Sequence, residues 1–186
     1  MTVRVCWAAL MTAAIGLTGT TVPAQATTVV RQALPDDVNG DGRVDVIAGT
    51  HLLKAKGKSD AGGVVVYFGG PAEVSATTRI VTLAKPVTRE NLGRTLATAD
   101  FDRDGYADML ASARRKLALF RGSKTGLREA RVIPWPVTAP AMAAADFDGD
   151  GDVAVTGNKQ VAVLRGGERS LRLSALANGA RSTTTR

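Results

Sequence analysis

The stretch Asp100-Phe-Asp102-Arg-Asp104-Gly105-Tyr106-Ala-Asp108 places four carboxylates at alternating positions around one glycine, and it constrains the chain more than any other. The chain writes this stretch three times. An earlier copy is Asp37-Val-Asn39-Gly-Asp41-Gly42-Arg43-Val-Asp45, and a later, shortened one is Asp146-Phe-Asp148-Gly-Asp150-Gly151-Asp152. Without a cation, the carboxylates of each loop repel one another.

A hard cation takes six to eight oxygen ligands, and residues 1, 3 and 5 of a tight loop supply three of them from one side. Glycine at position 6 permits the sharp turn. Position 7 offers a backbone carbonyl, from Arg43 or Tyr106, and the Asp at position 9, Asp45 or Asp108, completes the shell as the chain leaves. Thiolate and imidazole ligands are absent from these loops, and magnesium sites keep more water, so the expected ion is calcium, Ca2+. The metal ligands expected are therefore Asp37, Asn39, Asp41, Arg43 and Asp45 in the first loop, and Asp100, Asp102, Asp104, Tyr106 and Asp108 in the second. The third loop offers Asp146, Asp148, Asp150 and Asp152, but it is two residues short before Asp152, which puts its site in question.

Two other calcium loops share the same opening half and are excluded by the residues on the carboxyl side of it. An EF-hand needs Glu at position 12, where this chain has Ala48, Ala111 or Gly157. A dockerin loop also takes its last acidic ligand at position 12 and leads into a helix. Here the loops lead into Asp45-Val-Ile-Ala, Asp108-Met-Leu-Ala and Asp152-Val-Ala-Val, short apolar runs that fit buried strands. The fold class expected is all-β.

The repeat law is clearest in the later copies, where Asp108 to Gly122 and Asp152 to Gly166 are both 14 residues apart. Met109 to Phe120 lies alongside Val153 to Leu164 as strand, polar turn, strand. In the first copy the interval from Asp45 to Gly69 is 24 residues, so His51 to Gly63, rich in Lys, Gly and Ser, is an inserted loop of ten extra residues. Further strands are expected over Val64–Phe68 and Arg79–Ala84.

An Asp-rich nine-residue loop entering a strand, then a second strand ending in a Phe-Gly or Arg-Gly turn, resembles the FG-GAP or VCBS repeats of integrin-like β-propellers. The motifs are Val66-Tyr-Phe68-Gly69-Gly70-Pro71 and Leu119-Phe-Arg-Gly122-Ser-Lys-Thr-Gly126-Leu, and the resemblance covers most of residues 34 to 175. It implies propeller-type blades in about three units: 37–93, 94–139 and 140–177, after a lead-in at 27–36 and before a disordered tail at 178–186. Propellers close with about four to eight blades, so three make an incomplete ring. Self-association, truncation of a longer parent and an isolated stack of three units all remain open.

At the start of the chain, Arg4, an apolar run from Val5 to Leu17 and the ending Ala24-Gln25-Ala26 form a secretory signal peptide pattern cleaved after Ala26. The run is short of the roughly 20 residues of a membrane span. The chain is thus expected to be secreted, with 186 − 26 = 160 residues and no cysteine, since Cys6 leaves with the signal. Calcium, abundant outside cells, then takes the place of disulfides as the staple.

Eleven of the seventeen Asp and Glu residues lie in the three loops, which leaves the remaining surface basic, densest at Arg114-Arg115-Lys116 and Lys54-Ala-Lys56-Gly-Lys58. Such a surface attracts anionic polymers. The lack of interleaved aromatic residues argues against a nucleic-acid platform. No Gly-x-Ser-x-Gly elbow accompanies His51, the single histidine, so no hydrolase triad is visible. Trp135 between two prolines could stack on a sugar, although packing between units is the commoner use of such a residue.

A binding or adhesion module without enzymatic activity, taking an extracellular glycan, an anionic polymer or a protein, is the first functional expectation. The alternatives are the propeller portion of a larger secreted hydrolase and a surface-assembly protein whose blades complete one another between chains.

Overall fold

The computed structural model describes residues 33–71, 74–128, 131–135, 141–145, 151–157, 160–167 and 172–178. The expected signal peptide, Asp146, Phe147, Asp148 and Asp150 of the third loop, and the tail beyond 178 lie outside the described residues. Among the described residues there are eleven strands and no helix. β1 (Val46–Gly49), β2 (Val64–Gly69) and β3 (Val74–Val81) form one sheet; β4 (Leu96–Ala99), β5 (Asp108–Ala113), β6 (Lys116–Phe120) and β7 (Arg131–Pro134) form a second; β8 (Ala141–Ala145), β9 (Asp152–Gly157), β10 (Gln160–Arg165) and β11 (Arg172–Asn178) form a third. Each is an antiparallel meander in chain order, and none closes on itself. The chain is all-β, built of propeller-type blades that do not complete a ring.

The second sheet shows why these sequences form blades. All six residues of β5 are buried, and their side chains divide between two cores. Met109, Ala111 and Ala113, with Ala118 and Phe120 of β6, pack against Val64, Val66 and Leu92 on the side of the first sheet. Leu110, with Leu117 and Leu119, packs against Val153, Val155 and Leu164 on the side of the third. The register pairs Met109 with Phe120 and Leu110 with Leu119, so each cross-strand pair shares a face. A strand covered on both faces reads as a continuous apolar run rather than an alternating one, which is the pattern of Met109-Leu-Ala and Leu117-Ala-Leu-Phe120.

The same unit explains the paired turns. Arg114 and Arg115 link β5 to β6 in two residues, with Arg115 at φ 56°. The expected strand-turn-strand of Val153 to Leu164 is found as β9 and β10, paired from Leu164↔Val153 to Gln160↔Gly157.

Three features depart from the sequence reading. The strand expected over Arg79–Ala84 is β3, which begins at Val74 and ends at Val81. The His51 to Gly63 segment is not a free loop: Gly62 donates to the Leu53 carbonyl, Arg89 to Ser59, Asn91 to Asp60 and Leu92 to Ala61, with Ala55 and Ala61 buried. It is held against the 85–92 connection by backbone hydrogen bonds.

Among the described residues, the first sheet has no counterpart of the inner strands β4 and β8. Asp36 accepts from the Asp45 amide at 3.1 Å, the position equivalent to the Ala99↔Asp108 pair of the second sheet. There the ladder stops. Asp36 turns to φ 58°, and Pro35 has no N–H to offer the next rung. Among the described residues β1 is an edge, with Val46 exposed.

Candidate metal centre

The second Asp loop joins the inner strand β4 to β5, so its first ligand follows one strand and its last opens the next. Asp100 follows β4, and Asp108 is the first residue of β5. Asp100 Oδ1 accepts from the Asp104 amide at 3.1 Å and Oδ2 from the Gly105 amide at 2.9 Å, while Asp104 Oδ1 accepts from Tyr106 at 3.0 Å. These bonds wind the loop, and Gly105 supports the turn at φ 86°.

The winding brings carboxylate oxygens of Asp100, Asp102 and Asp108 within 4.8 Å of one another, the one such group among the described residues. Asp108 is fully buried. Burial pushes its carboxyl up to about 7, the Gly122 amide pulls it back, the neighbouring charges of Asp104 and Asp100 add to the rise, and a weak approach of the Phe101 amide, short of a hydrogen bond, lowers it slightly. Asp108 Oδ2 and Asp102 Oδ1 are buried without a hydrogen-bond partner. Unpartnered carboxylate oxygens converging on one spot cost stability unless a cation or a proton answers them, so the donor set fits a hard divalent ion. The Arg121 guanidinium contacts Asp102 Oδ2 and supplies part of that countercharge.

The first loop has the same winding and a different balance. Asp37 Oδ1 accepts from Gly40 at 2.7 Å and Asp41 at 3.1 Å, its Oδ2 from Gly42 at 2.9 Å, and Asn39 Oδ1 from Asp41 at 3.0 Å. Asp41 Oδ1 takes the Arg43 amide at 2.9 Å. Asp45 is buried and accepts twice, from Val38 at 3.0 Å and Gly69 at 2.8 Å. Burial raises its pKa, and these two amides lower it in part. Here both oxygens of the buried carboxylate are satisfied by the protein. Of the third loop's expected ligands only Asp152 is described; it is buried at the start of β9, with Oδ1 unpartnered.

Sequence reasoning missed two parts of this arrangement. Arg121 sits in the Phe-Arg-Gly turn, with no local signal that its side chain reaches Asp102. The glycines of that turn and its earlier copy are more than turn formers: a Cβ on Gly122 would meet the Ala107 carbonyl oxygen at 2.6 Å, and one on Gly69 would meet the Val44 oxygen at 2.6 Å. Their signal was present as the fixed interval after Asp108 and Asp152.

The loops also stack. Ala107 donates to the Asp37 carbonyl at 2.9 Å, and the Tyr106 ring lies against Gly40. Ser123 donates to the Val38 carbonyl at 3.0 Å, and Gly167 repeats that contact on Phe101 at 2.9 Å. Val38 and Phe101, each the second residue of its loop, are fully buried, so position 2 fixes loop to blade. Trp135 is buried in the second core, where it cannot present a face to a sugar. His51 is half-buried, its carbonyl accepting from Asn91.

Sheets of this topology, stacked face to face and carrying an Asp loop at the start of each long strand, define a blade-repeat protein. The family model for the FG-GAP-like repeat matches residues 37–111 and 100–155, and the chain belongs to that family. The two matches overlap on the second Asp loop. FG-GAP-like repeats are typically non-enzymatic binding modules. No curated protein matches the chain.

Proposed function

We propose that this chain is a secreted, calcium-stapled FG-GAP module that binds an extracellular glycan or protein and carries out no chemistry of its own. The observation that carries the calcium reading is the convergence of Asp100, Asp102 and Asp108 within 4.8 Å, with Asp108 buried and two oxygens unanswered. Asp100, Asp102 and Asp108 would hold the ion, with Asp104 and the Tyr106 carbonyl completing the loop. Calcium bound there supplies the positive charge that the loop lacks. The protein's own bonds then spread the effect: Asp108 is tied to Gly122 at the end of β6, and Ala107 to Asp37 of the first loop. Secretion rests on the signal pattern before Thr27.

Calorimetric titration of calcium into chelator-treated protein tests this reading. Saturable binding by the full chain, lost in Asp108→Asn, supports it. Absence of binding at millimolar calcium overturns it.

Among the described residues β1 pairs only with β2, which favours a second reading, in which copies complete one another's blades. A cleft of about 120 Å³ lined by Asp36, Ile47, Leu96, Ala97 and Thr98 lies beside β1. Sedimentation that gives a discrete dimer mass, independent of loading concentration, supports this reading; a monomer at all concentrations contradicts it.

A further inference from the structure

The carboxylate loops occupy one end of the strands, and the opposite end carries a charge of the other sign. β5 runs from Asp108 in the metal loop to Ala113, about 17 Å at 3.3 Å per residue. Beyond it come Arg114 and Arg115, both exposed. Three segments distant in sequence meet at this end. The Lys54 to Lys58 turn, the 84–91 connection and the 113–116 hairpin are joined by Lys56 Nζ to the Ala84 carbonyl at 2.7 Å, Arg89 N to Ser59 O at 2.9 Å, and Arg114 N to Glu90 O at 2.7 Å. Lys54, Lys58, Arg89, Arg114 and Arg115 are exposed on this joined surface. The acids there do not neutralise it: Glu90 is buried and held by Lys116 at 3.0 Å, and only Asp60 remains.

Backbone geometry supplies a second, independent observation. Among the described residues seven other than glycine have positive φ, and three of them are cations of this surface: Lys56 at 46°, Arg89 at 60° and Arg115 at 56°. Long side chains are disfavoured in the left-handed region, where glycine or asparagine fits better. Lys56 and Gly57 form the centre of a tight turn closed by mutual Ala55 and Lys58 hydrogen bonds, the two-residue geometry in which Asn-Gly is the usual choice. Strain retained at such positions points to use of the side chain. The hydrogen bonds between these turns set where their cations leave the chain.

We propose that this basic rim is the ligand-binding surface of the module, and that its ligand is a linear acidic polysaccharide. A cluster of exposed cations with no exposed aromatic ring among them suits repeating carboxylate or sulfate groups. A single-stranded nucleic acid would call for a stacking platform. This inference rests on the reading of the chain as a binding module but not on the calcium reading, because the rim lies away from the Asp loops.

The test is binding of the full chain to dextran sulfate, with uncharged dextran and single-stranded DNA as comparisons, across about 50 to 200 mM salt. The variant K54Q/K58Q/R114Q/R115N removes four rim charges and keeps a residue suited to positive φ at 115. K54Q/K58Q alone is the milder partner variant, and Lys124→Gln, on the Asp-loop side, is the control. We expect dextran sulfate to bind and dextran not to. In the fourfold variant the slope of log affinity against log salt should flatten by roughly 3, at about 0.7 for each cation removed. K54Q/K58Q should flatten it by about half as much, and Lys124→Gln should leave it unchanged. Equal binding by wild type and the rim variants overturns the assignment of the surface. Tighter binding to DNA than to dextran sulfate overturns the assignment of the ligand.

Discussion

Asp108 Oδ1 accepts a hydrogen bond from the Gly122 amide at 2.8 Å, joining the last position of the second Asp loop to the turn that ends β6. Asp45 and Gly69 make the same bond at 2.8 Å across a longer interval in the chain. The recurrence links two motifs that look separate in the sequence, the Asp loop and the Phe-Gly or Arg-Gly turn, as acceptor and donor of one hydrogen bond. The glycine is required because the turn lies directly on the loop backbone.

Gly122→Ala should therefore destabilise the protein by about 1–3 kcal/mol, the usual cost of overpacking, because its Cβ would fall 2.6 Å from both the Ala107 oxygen and Tyr106 Cβ. Urea denaturation of the variant against the wild type measures this, and an unchanged midpoint contradicts it.

Asp108→Asn should have opposite effects in two solutions. In chelator it removes a buried carboxylate that nothing fully answers, so stability should be equal to wild type or higher. In millimolar calcium it should be clearly less stable than wild type. Melting curves of both proteins under both conditions give the four values required.

The pH dependence of the calcium-free protein comes from the same carboxylate. With its folded pKa pushed up to about 7 from 3.8, Asp108 binds its proton more tightly in the folded than in the unfolded chain. Its destabilising effect is absent below about pH 4, grows as pH rises through that window and is complete above pH 7. Each pH unit in the window is worth at most about 1.4 kcal/mol from this one group. Melting temperature in chelator should fall from pH 5 to pH 8, and calcium should remove most of the decline.

Arg121→Gln should enlarge the calcium-induced rise in melting temperature. The guanidinium now contacts Asp102 and offers countercharge without metal. Removing it weakens the calcium-free form more than the calcium-bound one. A smaller rise in the variant would show instead that Arg121 supports the metal-bound loop.

The loops, the hairpins after them and the blade class are legible in the sequence because their determinants are local: Asp at fixed positions, glycine at the turn, and paired apolar runs of constant spacing. The inner strands β4 and β8 are not legible. Leu96-Ala-Thr-Ala99 and Ala141-Met-Ala-Ala-Ala145 are short and rich in alanine, with little β-branched character and no alternation; pairing to β5 and β9 makes them strands. Among the described residues, the pairing beside β1 stops at Asp36, where the backbone turns to positive φ after Pro35. The contact of Arg121 with Asp102 and the joining of the basic turns are tertiary, and no local pattern carries them.

Thermal unfolding of the full chain in millimolar calcium and again in chelator tests the central claim most directly. An ion that binds only the folded state at 100 times its dissociation constant adds about 2.7 kcal/mol per site. The account predicts a β-rich spectrum and a melting temperature several degrees higher in calcium. The same cooperative melt in both solutions would contradict it, because the Asp loops would then be folded by their own hydrogen bonds with no metal in them.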